Sequence, residues 1–181
     1  LKLLIASDIH GSAYYCEKLT RAFHEEKADR LLLLGDILYH GPRNELPRDY
    51  APKKVAELLS ALAGRILCVR GNCDAEIDQA MLAFPILAEY CILYLGGRMI
   101  FATHGHHFNK DALPPLTTGD ILLTGHTHVP LCQESSGIVC LNPGSVSIPK
   151  EDSPHGYMTM EDGRFEWKDI EGVVYKEYAV E

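Results

Sequence analysis

No stretch of the 181-residue chain approaches the ~20 consecutive apolar residues of a membrane-spanning helix. The first apolar run stops at Asp8, too short for a signal peptide, so a cytoplasmic location is expected. Basic residues are scarce: 17 Lys and Arg against 25 Asp and Glu give a net charge of −8. Sequence-independent binding to nucleic acid or to a membrane surface needs a basic face, so neither is expected. A small anionic substrate stays open, because bound divalent ions would reverse the field locally. The six cysteines form no CxxC pair, and the chain is long enough to build a core without disulfide staples. Reduced, mostly buried thiols are expected. Low-complexity segments and interdomain linkers are missing too, so residues 1–181 are expected to form one domain. A hydrophobic content of 46% with 23% charge is globular rather than disordered.

What recurs is an apolar run that ends in Asp, Asn or His with glycine beside it. The run to Ser7 delivers Asp8-Ile9-His10-Gly11, and Leu31–Leu34 delivers Gly35-Asp36. Residues 65–70 deliver Gly71-Asn72-Cys73-Asp74, and 98–103 deliver His104-Gly105-His106. Residues 120–124 deliver Gly125-His126-Thr127-His128. Such runs read as strands buried on both faces. Side chains two apart in a strand share a side, so Asp8 and His10 point the same way off the strand end. A carboxylate and an imidazole held together suit a borderline divalent metal. Glycine lets the backbone turn sharply or approach closely. Five strand ends bringing donors to one edge make a site of about six to eight protein ligands. That is too many for one tetrahedral zinc and suits two metals.

Between these runs the pattern predicts a helix over 12–27, with Ser12 as N-cap and Leu19, Ala22 and Phe23 as its stripe. A strand over 30–34 follows. Strand–helix–strand argues for an α/β fold with parallel pairing, which binds ligands at the carboxyl ends of its strands. Residues 37–50, broken by Pro42 and Pro47, form a long loop that should reach over the site. A helix over 52–63 carries Val55, Leu58, Leu59 and Leu62, and a short helix over 74–83 starts at the capping residue Asp74. From about residue 90 the texture is β. Strands 91–95 and 98–103 flank a Gly96-Gly97 hairpin turn. Strands 120–124, 138–141, 156–160, 164–169 and 173–179 follow, with a second hairpin at Asp162-Gly163. Asn142-Pro143-Gly144-Ser145 reads as a β-turn or as something more.

In order, Asp8-Ile9-His10, Gly35-Asp36, Gly71-Asn72-Cys73-Asp74, His104-Gly105 and Gly125-His126-Thr127-His128 resemble the calcineurin-like metallophosphoesterases. That family carries D-x-H, G-D, G-N-H-[DE], H-G and G-H-[ST]-H. Ser-Asp-Ile-His-Gly (7–11), His-Gly-Pro-Arg-Asn (40–44), Gly-Asn-Cys-Asp (71–74) and Asn-Pro-Gly-Ser-Val-Ser-Ile-Pro (142–149) resemble in particular the small bacterial YfcE-type phosphodiesterases. The resemblance implies a metallophosphoesterase-type two-sheet β-sandwich flanked by α-helices, with two divalent metal ions at one edge. By position Asp8, His10 and His128 would hold one metal, Asn72, His104 and His126 the other, and Asp36 would bridge them. Mn²⁺ is the usual supporting metal among such relatives, while Fe, Zn²⁺ and Ni²⁺ are chemically possible. The implied activity is hydrolysis of small phosphodiesters through a metal-bridging hydroxide. A phosphomonoesterase or nucleotide phosphatase on the same site is the alternative. A non-catalytic scaffold, like the retromer subunit that shares this fold, is disfavoured because no ligand position is lost. Many members carry His where this chain has Cys73. That His is often assigned as the acid for the leaving group, so the proton donor is open here, although YfcE-like members share the Cys.

Asp36, Asn72, His104 and His106 are the catalytic candidates, and His40, Arg43, Cys73 and His106 the substrate-binding ones. Asn72 can ligate through its amide oxygen without adding charge. His106 reads as a phosphate contact or as plain surface. Arg43 either forks onto a phosphate oxygen or is a solvated loop arginine. Asp74 reads as a helix cap or as a support for a ligand. Of the nine histidines, His24 and His155 are expected to be ordinary surface or core residues. The partner is a small phosphoester. Oligomeric state is left open, a homo-oligomer included.

Overall fold

Strand β1 (Leu3–Ala6) is buried along its whole length, and its side chains divide by parity. Leu3 and Ile5 enter one core, Leu4 and Ala6 another. A strand buried on both faces requires this, and the unbroken apolar run is its signature. The computed structural model describes residues 1–95 and 97–180. From β1 the chain continues through α1 (Ala13–Glu25), β2 (Arg30–Leu33), α2 (Pro52–Ser60), a 3₁₀ turn (Ala63–Arg65), β3 (Ile66–Cys68) and α3 (Glu76–Gln79). Then come β4 (Tyr90–Leu95), β5 (Arg98–Thr103), β6 (Ile121–Leu123), β7 (Leu131–Ser135) and β8 (Ile138–Asn142). The last three are β9 (Gly156–Glu161), β10 (Arg164–Asp169) and β11 (Val174–Ala179).

The strands form two sheets, six in the order β11-β10-β9-β1-β2-β3 and five in the order β4-β5-β6-β8-β7. In the first, β1, β2 and β3 run parallel. In the second, β5, β6 and β8 do. Leu3, Ile5, Leu32 and Leu34 meet Ile100, Ala102, Leu123 and Leu141 in the core between the sheets. Trp167 is fully buried there, and its Nε1–H donates to Asn142 O at 2.7 Å, tying β10 to β8 across the layers. On the outer face of the six-stranded sheet, Leu4, Leu31 and Leu33 pack with Leu19 and Phe23 of α1 and Val55 and Leu59 of α2. The other outer face carries a smaller cluster of Phe101, Leu122, Ile138 and Cys140. The two-sheet fold is therefore as expected, with α1 and α2 both on one flank.

Several boundaries move. Ser12 does cap α1, its Oγ accepting from Tyr15 N at 3.3 Å, but the helix stops at Glu25. Helix α2 ends at Ser60 and gives way to the 3₁₀ turn. The helix placed over 74–83 is only the four residues of α3, with Ala75 at its N-cap position. Asp74 does not cap it, because its carboxylate is turned back onto the end of β2. Strand β7 was not anticipated: Leu-Cys-Gln-Glu-Ser is half polar, as suits an edge strand. The β4–β5 register, Tyr90↔Thr103 to Leu95↔Arg98, agrees with a hairpin, while Gly96 of its turn lies outside the described residues. Asp162 and Gly163 both have positive φ (48° and 83°), which suits a two-residue turn between β9 and β10.

Candidate metal centre

Parallel strands end on the same edge. The carboxyl ends of β1, β2 and β3 in one sheet and of β5 and β6 in the other therefore lead into the five ligand-bearing segments. Backbone bonds lace them together: His10 N–H donates to Asp36 O at 2.9 Å and Gly125 N–H to His104 O at 2.8 Å. Asp8, His10, Asp36, His126 and His128 all sit in the left-handed region, with φ of 60°, 49°, 57°, 64° and 63°. Non-glycine residues rarely adopt it, and the cost is of order 1 kcal/mol each. The ligands themselves thus make the sharp turns. Two neighbouring glycines are there for close approach. A Cβ on Gly71 would lie 2.1 Å from Asp36 Oδ1, and one on Gly125 would lie 1.9 Å from Ser7 Oγ.

Two donor sets result. Asp8 Oδ1 stands 3.5 Å from His10 Nε2 and 3.2 Å from His128 Nε2, and the two imidazole nitrogens are 3.2 Å apart. His104 Nε2 stands 3.0 Å from Asn72 Oδ1 and 3.2 Å from His126 Nδ1. Asp36 Oδ2 lies between the sets, 3.6 Å from His10 Nε2 and 3.4 Å from His104 Nε2. Donors bound to one ion at about 2.0–2.2 Å stand roughly 3.0–3.5 Å from one another. The spacing within each set is that of a coordination polyhedron.

The second nitrogen of three rings is already spoken for. His10 Nδ1 pairs with Tyr39 O at 2.8 Å, His104 Nδ1 with Leu34 O at 2.6 Å and His128 Nδ1 with Ile148 O at 2.7 Å. A proton on Nδ1 fixes the tautomer and leaves the Nε2 lone pair facing the site. Asp8 is split the same way. Its Oδ2 accepts from Ser7 Oγ at 2.5 Å and His126 N–H at 3.0 Å, while Oδ1 is buried with no hydrogen-bond partner. A buried carboxylate oxygen facing convergent imidazoles is a cation's position. The residues fit a divalent metal pair.

The electrostatics agree. Burial would raise the Asp8 carboxyl, but His10 and His128 outweigh it and hold it well below the usual carboxylate range. Asp36 is likewise lowered, burial being overcome by His104. His104 itself, despite burial, is pushed up to about 9 by Asp36 and Asp8. Without metal the centre therefore holds protons that metal binding must displace.

A cavity of about 450 Å³ opens over the ligands, and Arg43, Cys73 and Lys150 line it together with Asp36, Asn72, His126 and His128. Cys73 N–H donates to Asp36 Oδ1 at 2.8 Å. Burial, with Asp36 beside it, pushes the Cys73 thiol up to about 12. His40 does not line this cavity. It packs edge-on between Tyr39 and Tyr50, with ring centroids at 4.8 and 5.2 Å. His106 stands beside His104 and against His107, with ring centroids at 5.4 and 4.0 Å and both pairs tilted, and burial with His104 lowers it to about 4. It lies outside the cavity lining as well.

Sequence reasoning missed Lys150, although it directly follows the stretch 142–149 that carries part of the resemblance. It also left open the segment after β8. There Asn142 Nδ2 donates to Gly125 O at 2.7 Å, and Ser145 and Ser147 hydroxyls donate to Asp8 O at 2.8 and 3.1 Å. Asn142 Oδ1 also accepts from Gly144 N–H at 2.8 Å, so the turn doubles as a clamp on two ligand segments.

A two-sheet sandwich with convergent histidine and carboxylate donors at one edge defines a metal-dependent phosphoesterase class. Residues 1–162 match the calcineurin-like phosphoesterase superfamily domain, and the chain belongs to that family. It is 48% identical over 157 residues to phosphodiesterase YfcE of Escherichia coli (strain K12), covering 87% of this chain and 85% of the relative. The probable metallophosphoesterase YsnB of Bacillus subtilis (strain 168) is 26% identical over 171 residues, 90% of this chain and 86% of its own. The solved structure of E. coli YfcE, described as a phosphoesterase, superposes with a TM-score of 0.96 at 42% identity over all of both chains. Zinc-bound Vps29 of Entamoeba histolytica superposes with a TM-score of 0.58 at 20% identity over all of both chains, a likeness of fold alone.

Proposed function

We propose that the protein is a dinuclear-metal phosphodiesterase acting on small phosphodiesters. The observation that carries this reading is the pair of donor sets flanking Asp36 Oδ2, at 3.6 Å from His10 and 3.4 Å from His104. Asp8, His10 and His128 would hold one ion, Asn72, His104 and His126 the other, and Asp36 both. Two divalent ions, when bound, supply the Lewis acidity that polarises phosphoryl oxygens and lowers the pKa of a shared water until it is a nucleophile. The protein's own part is to set these donors rigidly and to receive the phosphate. The ligand sets contain only two carboxylates, so the loaded centre carries net positive charge. Arg43 and Lys150 on the cavity wall add to it and bind the phosphoryl oxygens. Cys73 carries a thiol, a poorer proton donor to the leaving oxygen than an imidazolium.

Activity on diesters is supported by the name of the E. coli relative, a phosphodiesterase. The second cation, Lys150, favours a second reading, a monoesterase receiving a dianion. Mn²⁺ remains the metal we favour, with Fe, Zn²⁺ and Ni²⁺ as chemical alternatives. Residues 1–181 are read as one domain, because β10 and β11 extend the same sheet as β1. Six free cysteines, three of them buried, suit a reducing, cytoplasmic setting. Among the described residues no helix is long and apolar enough to cross a membrane. The test is kcat/KM for bis(p-nitrophenyl) phosphate against p-nitrophenyl phosphate with Mn²⁺, Ni²⁺, Zn²⁺ and Mg²⁺ in turn. A diester preference is expected. A monoester preference with every metal would transfer the site to the second reading, and no hydrolysis with any metal would refute both.

A further inference from the structure

A second cavity of about 380 Å³ adjoins the metal centre, and its chemistry is the opposite of the first. Tyr39, Tyr50, Ile77 and Met81 form its wall. Cys73 lines both cavities and is the partition between them. The apolar side chains are left in water to an unusual degree: Ile77 is 74% exposed, Met81 46% and Tyr39 41%. Exposed apolar surface clustered beside a catalytic centre marks a place where something apolar binds.

The two aromatic walls are fixed to the metal centre. Tyr39 lends its carbonyl to His10 Nδ1 at 2.8 Å, so its position follows that of a metal ligand. Tyr50 lies so close on the backbone of Gly11 that a Cβ there would fall 2.5 Å from its ring. His40 wedges between the two tyrosine rings. Of the two charged residues that line the cavity, Lys53 and Asp78, the latter already accepts from Ala75 N–H at 2.9 Å. The cavity thus offers two aromatic faces and a flexible methionine, and little that would select a hydroxylated group.

We propose that this apolar cavity is the subsite for one ester group of the substrate, and that the group is aromatic. The natural substrate class is then a phosphodiester bearing at least one aryl or arylmethyl ester, with its phosphate over the metals and its ring past Cys73. The proposal rests on the phosphodiesterase reading above. It goes further by assigning the organic half of the substrate.

The test uses phosphinates, which carry one charge and two organic groups like a phosphodiester, and whose C–P bonds are not hydrolysed, so binding is read without turnover. In benzyl(ethyl)phosphinate methylenes stand for both ester oxygens of methyl phenyl phosphate; diethylphosphinate is its alkyl counterpart. Both are titrated calorimetrically into Mn²⁺-loaded protein and into chelator-treated protein. Benzyl(ethyl)phosphinate should bind the loaded protein at least tenfold more tightly than diethylphosphinate. Ile77→Ser and Met81→Ser, at exposed positions that should tolerate them, should bring that ratio close to one when combined. Equal affinities in the unsubstituted protein would overturn the aromatic subsite while leaving the metal-centre reading standing. So would a tenfold ratio that survives both substitutions, since the ring would then sit elsewhere. If neither phosphinate binds the loaded protein better than the chelated one, the phosphate site itself is misplaced and both readings fall.

Discussion

Asp74 holds Asp36 from behind: Oδ2 of its buried carboxylate accepts the Asp36 backbone N–H at 2.8 Å. The same oxygen accepts Gly71 N–H at 2.7 Å, and Oδ1 accepts Ile37 N–H at 2.8 Å. One side chain outside both donor sets therefore joins the ends of β2 and β3 and positions Asp36. Asp74→Asn would set an amide NH₂ against backbone donors. Stability should fall by roughly 2–3 kcal/mol, and metal affinity by about 10–100-fold. Thermal unfolding of the metal-free protein and competition with a chromogenic chelator measure the two. Wild-type behaviour in both would mean that Asp74 is dispensable to the centre.

Asp36→Asn should harm activity more than any other single ligand change, because a single oxygen of this carboxylate stands between the imidazoles of both donor sets. A loss of roughly 10²–10³-fold in kcat is expected. Asn72→Ala, which touches one set, is the comparison. Retention of most activity by Asp36→Asn alongside its abolition in Asn72→Ala would show that Asp36 does not bridge.

Arg43 lines the cavity from the segment between β2 and α2 and belongs to neither donor set. Arg43→Ala should lower kcat/KM by roughly 10-fold or more, the worth of a charge-assisted hydrogen bond, with metal content intact. Unchanged kinetics across several phosphoesters would return Arg43 to the role of a solvated loop residue.

Cys73 should give the leaving group little help. A thiol, with a reference pKa of about 8.5, is a poorer proton donor at neutral pH than an imidazolium. Leaving groups that need protonation should be cleaved poorly, so kcat/KM should fall steeply as leaving-group pKa rises. Cys73→Ser should change little, and Cys73→His should help most with basic leaving groups. A shallow slope in the unsubstituted protein would place the proton donor on another residue.

The candidate ligand positions are legible because each lies near the junction of an apolar strand and a glycine, and both signals are local. Asp8, His10, Asp36, Asn72, His104, His126 and His128 come together over strand ends that the apolar runs already marked. What the pattern does not carry is backbone hand. Nothing in the residue types says that five of these ligands turn left-handed, since glycine is the usual agent of such turns. Lys150 and the Ser145–Ser147 clamp reach the site only through the pairing of β8 and β9 into separate sheets, a long-range fact. Strand β7 was hidden because Gln133 and Glu134 break the apolar run. The helix expected at Asp74 failed because a good capping carboxylate found three better donors in the core.

The central claim, two metals sharing Asp36, is tested most directly by counting them. The protein is stripped with chelator, reconstituted with excess Mn²⁺, desalted and analysed for metal per chain. Two ions per chain are predicted, with activity lost on stripping and restored on loading. A reproducible stoichiometry of one or less in active protein would contradict the dinuclear centre.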